Sequence, residues 1–328
     1  MTRSAALKRS PDDDKNSSDH GSLSEERIPK KRVRRKASLR TSTLIKAARP
    51  RATKHQSASP STDTEEFKAK YRQLEKLNEG GCGCVFAGQR KADKLPVAIK
   101  RIPNKYIYCT HVDKDGKQIS IEVAVMLKLA ADSEAASPHI SMLDWYQLDK
   151  ELILVLERPM PAVDFNNYLI KKGGFLREEE AKVILRQLVD AAIDLKNKNI
   201  FHRDIKPENM LIETSSEVPR VRLIDFGLSS FNESDAFYET FYGTLITPEV
   251  FWNRSYRAEP TTVYQIGAVA FKAVDVEDVF NTVRLLRRHQ KIPKFISKNC
   301  NDFIQTCLTV DADDRPTLEQ LKIHPWLR

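Results

Sequence analysis

The chain has 328 residues, 41% of them hydrophobic, and a formal net charge of +9, enough length and apolar content for one large or two ordinary domains. No run approaches the roughly 18 consecutive apolar residues of a membrane span, and Met1 to Ser10 lacks the apolar stretch of a signal peptide. Five cysteines (Cys82, Cys84, Cys109, Cys300, Cys307) are an odd number and exclude a fully paired secreted scaffold, so we expect a soluble intracellular protein in a reducing compartment.

The charge is unevenly placed. Residues 1–64 hold 16 Lys and Arg against 7 Asp and Glu, and the remainder is neutral, with equal numbers of each sign. This leader is Ser, Lys, Arg, Asp and Pro without a sustained apolar period, so residues 1–66 are expected to be disordered. Within it, Pro29-Lys30-Lys31-Arg32-Val33-Arg34-Arg35-Lys36 is a compact cationic run. Such a run suits a nuclear import receptor, a phosphate backbone or an anionic membrane, and it suits a solubilising tail equally.

From Tyr71 the patterning turns strand-like, over Tyr71 to Leu77, Val85 to Gln89 and Leu95 to Ile102. Ile119 to Ala131 carries Ile121, Val125 and Leu129 at helical spacing, and Glu151 to Leu156 is a buried strand. Glu157-Arg158-Pro159-Met160-Pro161 then breaks regular structure and suits a connector between two lobes. Beyond it helices dominate: Glu178 to Lys196 with a strong 3.6 period, Thr262 to Val274, Asp302 to Leu308 and Leu318 to Ile323. The expected fold is α+β and bilobal, a small β-rich N-lobe (about 67–156) with one main helix and a larger, mainly helical C-lobe (162–328).

Five motifs stand in an order that phosphoryl transfer can use, since that chemistry asks a protein to hold phosphates, place a cation and orient an acceptor. Asn78-Glu79-Gly80-Gly81-Cys82-Gly83-Cys84-Val85 lies between strands, where glycines let backbone approach phosphates; alone it is a common turn. A Cys-x-Cys pair without a second pair at zinc-like spacing gives no expectation of a thiol metal site. Val97-Ala98-Ile99-Lys100 delivers a lysine from a strand, and Glu122 follows 22 residues on in the predicted helix. His202-Arg203-Asp204-Ile205-Lys206-Pro207-Glu208-Asn209 is the most specific signal. There Asp204 would take or orient a hydroxyl proton, Lys206 would balance charge on the moving group, and Asn209 would hold Mg2+. Asp225-Phe226-Gly227 would supply the second metal-binding side chain, and Thr247-Pro248-Glu249 would pair with Arg315 through a buried Glu249–Arg315 ion pair.

With these residues in view, positions 67–328 resemble the eukaryotic protein kinases. They are most similar to the Pim family, through Leu95-Pro96-Val97-Ala98-Ile99-Lys100, the hinge Leu156-Glu157-Arg158-Pro159-Met160-Pro161, Leu223-Ile224-Asp225-Phe226-Gly227 and His324-Pro325-Trp326. The resemblance implies catalysis by Asp204, Lys206, Lys100 and Glu122. It implies ATP contacts from Leu77, Asn78, Glu79, Gly80, Gly81, Cys82, Gly83, Cys84, Val85, Ala98, Lys100, Asp164 and the Glu157 carbonyl, where a hinge proline removes the usual N–H donor. Asn209 and Asp225 would hold Mg2+, and Glu208, Asp164 and Thr244 would meet the substrate. Lys206, two residues after Asp204, is the serine/threonine pattern.

Pim-like kinases prefer sites with arginine upstream, so the implied partners are proteins with basic residues before a Ser or Thr. Glu208 and Asp164 also read as ordinary solvated carboxylates. A monomer in the cytoplasm and possibly the nucleus is expected, with no membrane partner; nucleic acid is disfavoured because the leader lacks interleaved aromatics. Arg34-Arg35-Lys36-Ala37-Ser38 makes Ser38 a candidate target of this kinase or a similar one, and Glu233, Asp235 or Glu239 could neutralise Arg203 without a phosphate.

Some positions depart from the family pattern. Asn78 replaces the first loop glycine, which should stiffen that turn, and two residues are missing between Gly243-Thr244 and Pro248-Glu249. Thr262 stands where an aspartate usually braces the catalytic loop, although Pim relatives also lack it, and Ala273 to Thr282 is short. These put peptide docking in question more than ATP binding. The rival class is therefore a pseudokinase, an ATP-binding regulator without transfer activity.

Overall fold

The structure is a computed structural model that describes residues 60–328 except 82, 132–136, 233–235 and 276–279. The cationic run, Ser38, Cys82, Glu233 and Asp235 lie outside the described residues.

A five-stranded antiparallel sheet forms the first lobe, in the order Tyr71–Gly80, Gly83–Arg90, Pro96–Pro103, Glu151–Glu157, Met142–Gln147. The central strands are β-branched and apolar where they meet the core: Val97, Ile99, Ile153 and Val155 are buried against Phe67, Tyr71 and Tyr146. On the opposite face Ile102, Leu152 and Leu154 pack on Val123 and Ala124 of the helix Ile121–Ala131. Alternation along one strand thus feeds two cores. The helix starts two residues later than its periodicity suggests, because Gln118–Ser120 pairs with Thr110–Val112 as a small hairpin.

The expected leader boundary at 66/67 falls inside a helix, Pro60–Lys70. Its sequence has almost no apolar period, yet Phe67 is buried and meets the rings of Tyr71 and Tyr146 at 6.1 and 5.6 Å. A single aromatic anchor does here what a stripe does in an amphipathic helix.

The second lobe is built on Glu178–Asn197, with Glu178, Glu179 and Glu180 in its first turn and Lys196 in its last, the polarity the helix dipole favours. Its buried face, including Ile184, Leu188 and Leu195, meets Ala258–Val274 and the C-terminal helices in one core. The helix expected from Thr262 begins at Ala258, and that expected from Asp302 begins at Lys298, where the Ser297 side chain accepts from the Cys300 N–H at 3.2 Å. Leu318–Lys322 opens on a capping box of Thr317 and Gln320. Ala162–Asp164, Met210–Glu213 and Arg220–Leu223 make a small antiparallel sheet.

Candidate active site

The strand Pro96–Pro103 and the helix Ile121–Ala131 bring Lys100 and Glu122 together across 22 residues. Lys100 Nζ lies 2.7 and 2.9 Å from the two Glu122 oxygens and 2.9 Å from Asp225 Oδ1. Lys100 and Glu122 are buried, whereas the Asp225 side chain is 37% exposed. Burial works against each charge. For Asp225 the Lys100 ammonium outweighs it and holds the carboxyl at about 2. For Lys100, Asp225 and then Glu122 outweigh it and raise the ammonium above its usual range. The Glu122 carboxyl is pushed up by its own burial and by Asp225 against the pull of Lys100.

Asp225 is set in place from behind. It has φ +66°, in the left-handed region unusual for a side chain larger than glycine. Phe226 is fully buried, its ring 5.0 Å from His202 and 5.9 Å from His139. His202 accepts from the Asp204 N–H through Nδ1 at 3.4 Å and donates from Nε2 to the Ile224 carbonyl at 3.2 Å. Burial lowers its pKa, so the neutral ring with its proton on Nε2 fits both contacts.

Asp204, itself buried, is the most densely contacted carboxylate of the cleft. Oδ1 accepts from the Thr244 N–H at 3.0 Å and the Thr244 hydroxyl at 2.9 Å. Oδ2 lies 2.7 Å from Lys206 Nζ and accepts from Asn209 Nδ2 at 3.1 Å. Asn209 Nδ2 also donates to the Asp204 carbonyl at 2.8 Å, and Lys206 Nζ to Thr244 Oγ1 at 3.4 Å. The Asn209 amide is thereby oriented by its nitrogen, which leaves its oxygen as a donor atom for a cation. One amide oxygen and one ionised carboxylate, Asp225, fit Mg2+, which commonly takes one or two protein ligands and completes its shell with phosphate and water. Among the described residues no cluster of three or more His, Cys, Asp or Glu could hold a metal by itself.

The phosphate-loop residues form the turn between the first two strands, with Asn78 opposite Val85, Glu79 opposite Cys84 and Gly80 opposite Gly83. Leu77, Asn78, Glu79, Gly80 and Gly81 are exposed, and Gly83, Cys84 and Val85 half-buried. Gly83 has φ +146°, and a Cβ there would stand 2.1 Å from the Arg101 carbonyl oxygen, so no larger residue fits that approach. Asn78 Oδ1 accepts from the Glu79 N–H at 2.8 Å, a local bond consistent with the stiffer turn expected from Asn. Ala98 is half-buried on the neighbouring strand.

At the hinge the Glu157 N–H donates to the Ser141 carbonyl at 3.0 Å. Its carboxylate accepts from the Ser141 N–H at 3.0 Å and pairs with the Arg222 guanidinium. Arg222, buried, also meets Glu213 at 2.9 Å and donates to the His139 carbonyl. This arginine ties the hinge to the small sheet of the second lobe; sequence reading passed over it because nothing in Arg220-Val221-Arg222-Leu223 marks one arginine as internal. Asp164 caps the helix Phe165–Lys171, accepting from the Asn167 N–H at 2.9 Å, and Glu208 is exposed and accepts from Asn166 Nδ2 at 2.7 Å. The two carboxylates lie on neighbouring segments of the same rim.

Both anchors flanking the segment 245–248 are formed. Thr244 reaches Asp204, and Glu249 makes a bidentate pair with Arg315 at 3.0 and 2.7 Å, both side chains buried. Burial opposes the Glu249 charge, but Arg315 outweighs it and holds the carboxyl below its usual range. Of the three acidic partners expected for Arg203, only Glu239 lies among the described residues. Glu239 is exposed and makes no ion pair with it; the guanidinium instead stands over Tyr238, Tyr242 and Phe201, 4.6, 5.4 and 5.8 Å from their ring centres. Arg203 Nε has no hydrogen-bond partner among the described residues. A search for acidic partners overlooks such a cage, although three aromatic rings near a cation can hold it.

The protein kinase domain family matches residues 71–327, and the chain belongs to that family. It is of the Pim-like serine/threonine type: it is 32% identical over 271 residues to serine/threonine-protein kinase pim-2 of Danio rerio, covering 80% of this chain and 86% of that one. It is 28% identical to serine/threonine-protein kinase prk-2 of Caenorhabditis elegans over 80% of this chain and 59% of the relative. It is also 28% identical to sperm motility kinase 3A of Mus musculus, over 84% and 53%. The chain thus spans little more than half the length of those last two.

Proposed function

We propose that the chain is a working ATP-dependent kinase that phosphorylates Ser or Thr in proteins, at sites with basic residues upstream. The observation that carries this reading is the joint closure of both halves of the cleft: Lys100 with Glu122 and Asp225, and Asp204 with Lys206, Asn209 and Thr244. Bound Mg2+ and ATP would supply the phosphoryl group and much of the charge neutralisation around it. Lys100, fixed by Glu122, would contact the α and β phosphates; Asp225 and the Asn209 amide oxygen would hold the cation. Asp204 would orient the acceptor hydroxyl and receive its proton, and Lys206 would offset charge on the group in transit. Thr244, donating to Asp204, couples the substrate-docking segment to that carboxylate. Ala98, Val85 and the Glu157 carbonyl would bound the adenine, and Asp164 and Glu208 would pair with substrate arginine, or Asp164 with the ribose.

The aromatic seating of Arg203 supports activity without a phosphorylated activation segment, since its cation already has partners. A phosphatase-treated enzyme with no activity would remove this part of the reading. Among the described residues no helix is long and apolar enough to cross a membrane. The basic run supports partition between cytoplasm and nucleus, which imaging of the chain with and without Lys30, Lys31, Arg34 and Arg35 tests.

The test of function is phosphate transfer from Mg-ATP to an arginine-rich serine peptide by the intact chain and by Asp204→Asn. Transfer lost in the variant supports the kinase. Absence of transfer by either protein, with ATP still bound, replaces it with the pseudokinase reading.

A further inference from the structure

Thr262 occupies the position where protein kinases usually carry a bracing aspartate, which Pim relatives also lack, and its hydroxyl donates back to the Ala258 carbonyl at 2.8 Å, within its own helix. One turn further on, Gln265 reaches the catalytic loop. This side chain is 1% exposed; its Oε1 accepts from the Ile205 N–H at 3.2 Å and its Nε2 donates to the Arg203 carbonyl at 2.6 Å. Residues three apart share a helix face, so a longer side chain at 265 approaches the loop from the same side as a short one at 262.

The two bonds fall on either side of Asp204, one on the peptide group before it and one on the peptide group after it. Arg203 has φ +69°, and its carbonyl is closely approached by Gly243, where a Cβ would stand 2.6 Å away. Below the loop lies a pocket of about 370 Å³ lined by His202, Ile205 and Thr262 among others. A carboxamide with one donor and one acceptor suits the two buried peptide groups.

We propose that Gln265 is the positioning residue of the catalytic loop, holding Asp204 in register from beneath in the role Thr262 does not fill. As a contribution to catalysis this rests on the active-kinase reading above; as a contribution to loop geometry it does not. Leaving the Ile205 N–H and the Arg203 carbonyl without partners would release the loop locally, because unsatisfied buried backbone groups are costly.

The test compares the full chain with Gln265→Met, which keeps the length and removes both hydrogen bonds, and with Thr262→Asp added to it. Amide hydrogen exchange over residues 203–206 is read together with kcat and the KM for ATP. The brace predicts Ile205 exchange at least about tenfold faster in Gln265→Met, with the strand Glu151–Glu157 unchanged. It predicts kcat lower by about tenfold or more at a KM for ATP within about twofold, and partial recovery of both exchange and kcat in the double variant. Unchanged Ile205 exchange overturns the proposal; so does exchange raised equally across the molecule, or no recovery in the double variant. Exchange is read whether or not phosphate moves. A parent chain without transferase activity whose Ile205 amide still responds would dismiss the active enzyme and leave the brace standing.

Discussion

The two sides of the cleft are held by different physics. On the nucleotide side three charges, Lys100, Glu122 and Asp225, come from three separate elements and meet with Lys100 and Glu122 buried, so each depends on the others. On the substrate side Asp204 is held by an amide, a hydroxyl, a backbone N–H and one ammonium, with Gln265 bonded to the peptides around it. A buried charge network fails as a unit, whereas a set of polar contacts to one carboxylate can be thinned one member at a time. Thr244 meets Asp204 through two of these polar contacts, a set that needs reach rather than a fixed loop length.

The largest effect should come from breaking the charged side. Lys100→Met leaves Glu122 and Asp225 facing one another without their cation. We expect transfer to fall by at least about a hundredfold, with unfolding of the first lobe made easier, measured by peptide phosphorylation and thermal denaturation. Next is the pair beneath the substrate side. Arg315→Met strands the Glu249 carboxylate and should cost about 3–5 kcal/mol of stability by denaturant unfolding.

The same pair has a pH signature. Because the folded-state pKa of Glu249 lies below its ordinary 4.5, its contribution is present above that value and is lost as pH falls through the folded pKa. Glu249→Gln should therefore be less stable than the parent at neutral pH but lose less on acidification, and parallel acid curves for the two proteins would contradict the assignment.

Smaller effects separate the two sides further. Thr244→Ala should lower kcat by about tenfold while ATP affinity holds, with Thr244→Ser restoring most of it, since only the hydroxyl and the segment it anchors are involved. Tyr238→Leu removes the nearest ring from Arg203 and should cost about 0.5–2 kcal/mol in stability, with activity reduced in proportion. Tyr238→Phe, which keeps the ring, should retain most of both.

Much of this architecture could be read from the residues, for identifiable reasons. Lys100 and Glu122 could be paired on paper because a strand lysine and a helical glutamate 22 residues apart fall in recognisable elements. The Glu249–Arg315 pair was legible in the same way. The helix Pro60–Lys70 was not, since its one apolar anchor, Phe67, packs against Tyr146, far away in sequence, as well as Tyr71. The strand Met142–Gln147 was hidden because Asp144 interrupts its alternation; the structure turns that carboxylate to the hydroxyls of Tyr71 and Tyr146 at 3.1 and 3.0 Å. The aromatic seat of Arg203 and the two bonds of Gln265 were missed for a shared reason. Neither an aromatic ring beside a cation nor an amide inside a helix carries a sequence signature of the contact it makes.

The most direct measurement of the central claim is phosphate transfer from Mg-ATP to an arginine-rich serine peptide, by the intact chain and by Asp204→Asn, with ATP binding followed in parallel. The account predicts transfer by the intact chain and a loss of at least about a hundredfold in the variant at unchanged ATP affinity. Transfer that survives the substitution, or an intact chain that binds ATP and transfers nothing, would contradict it.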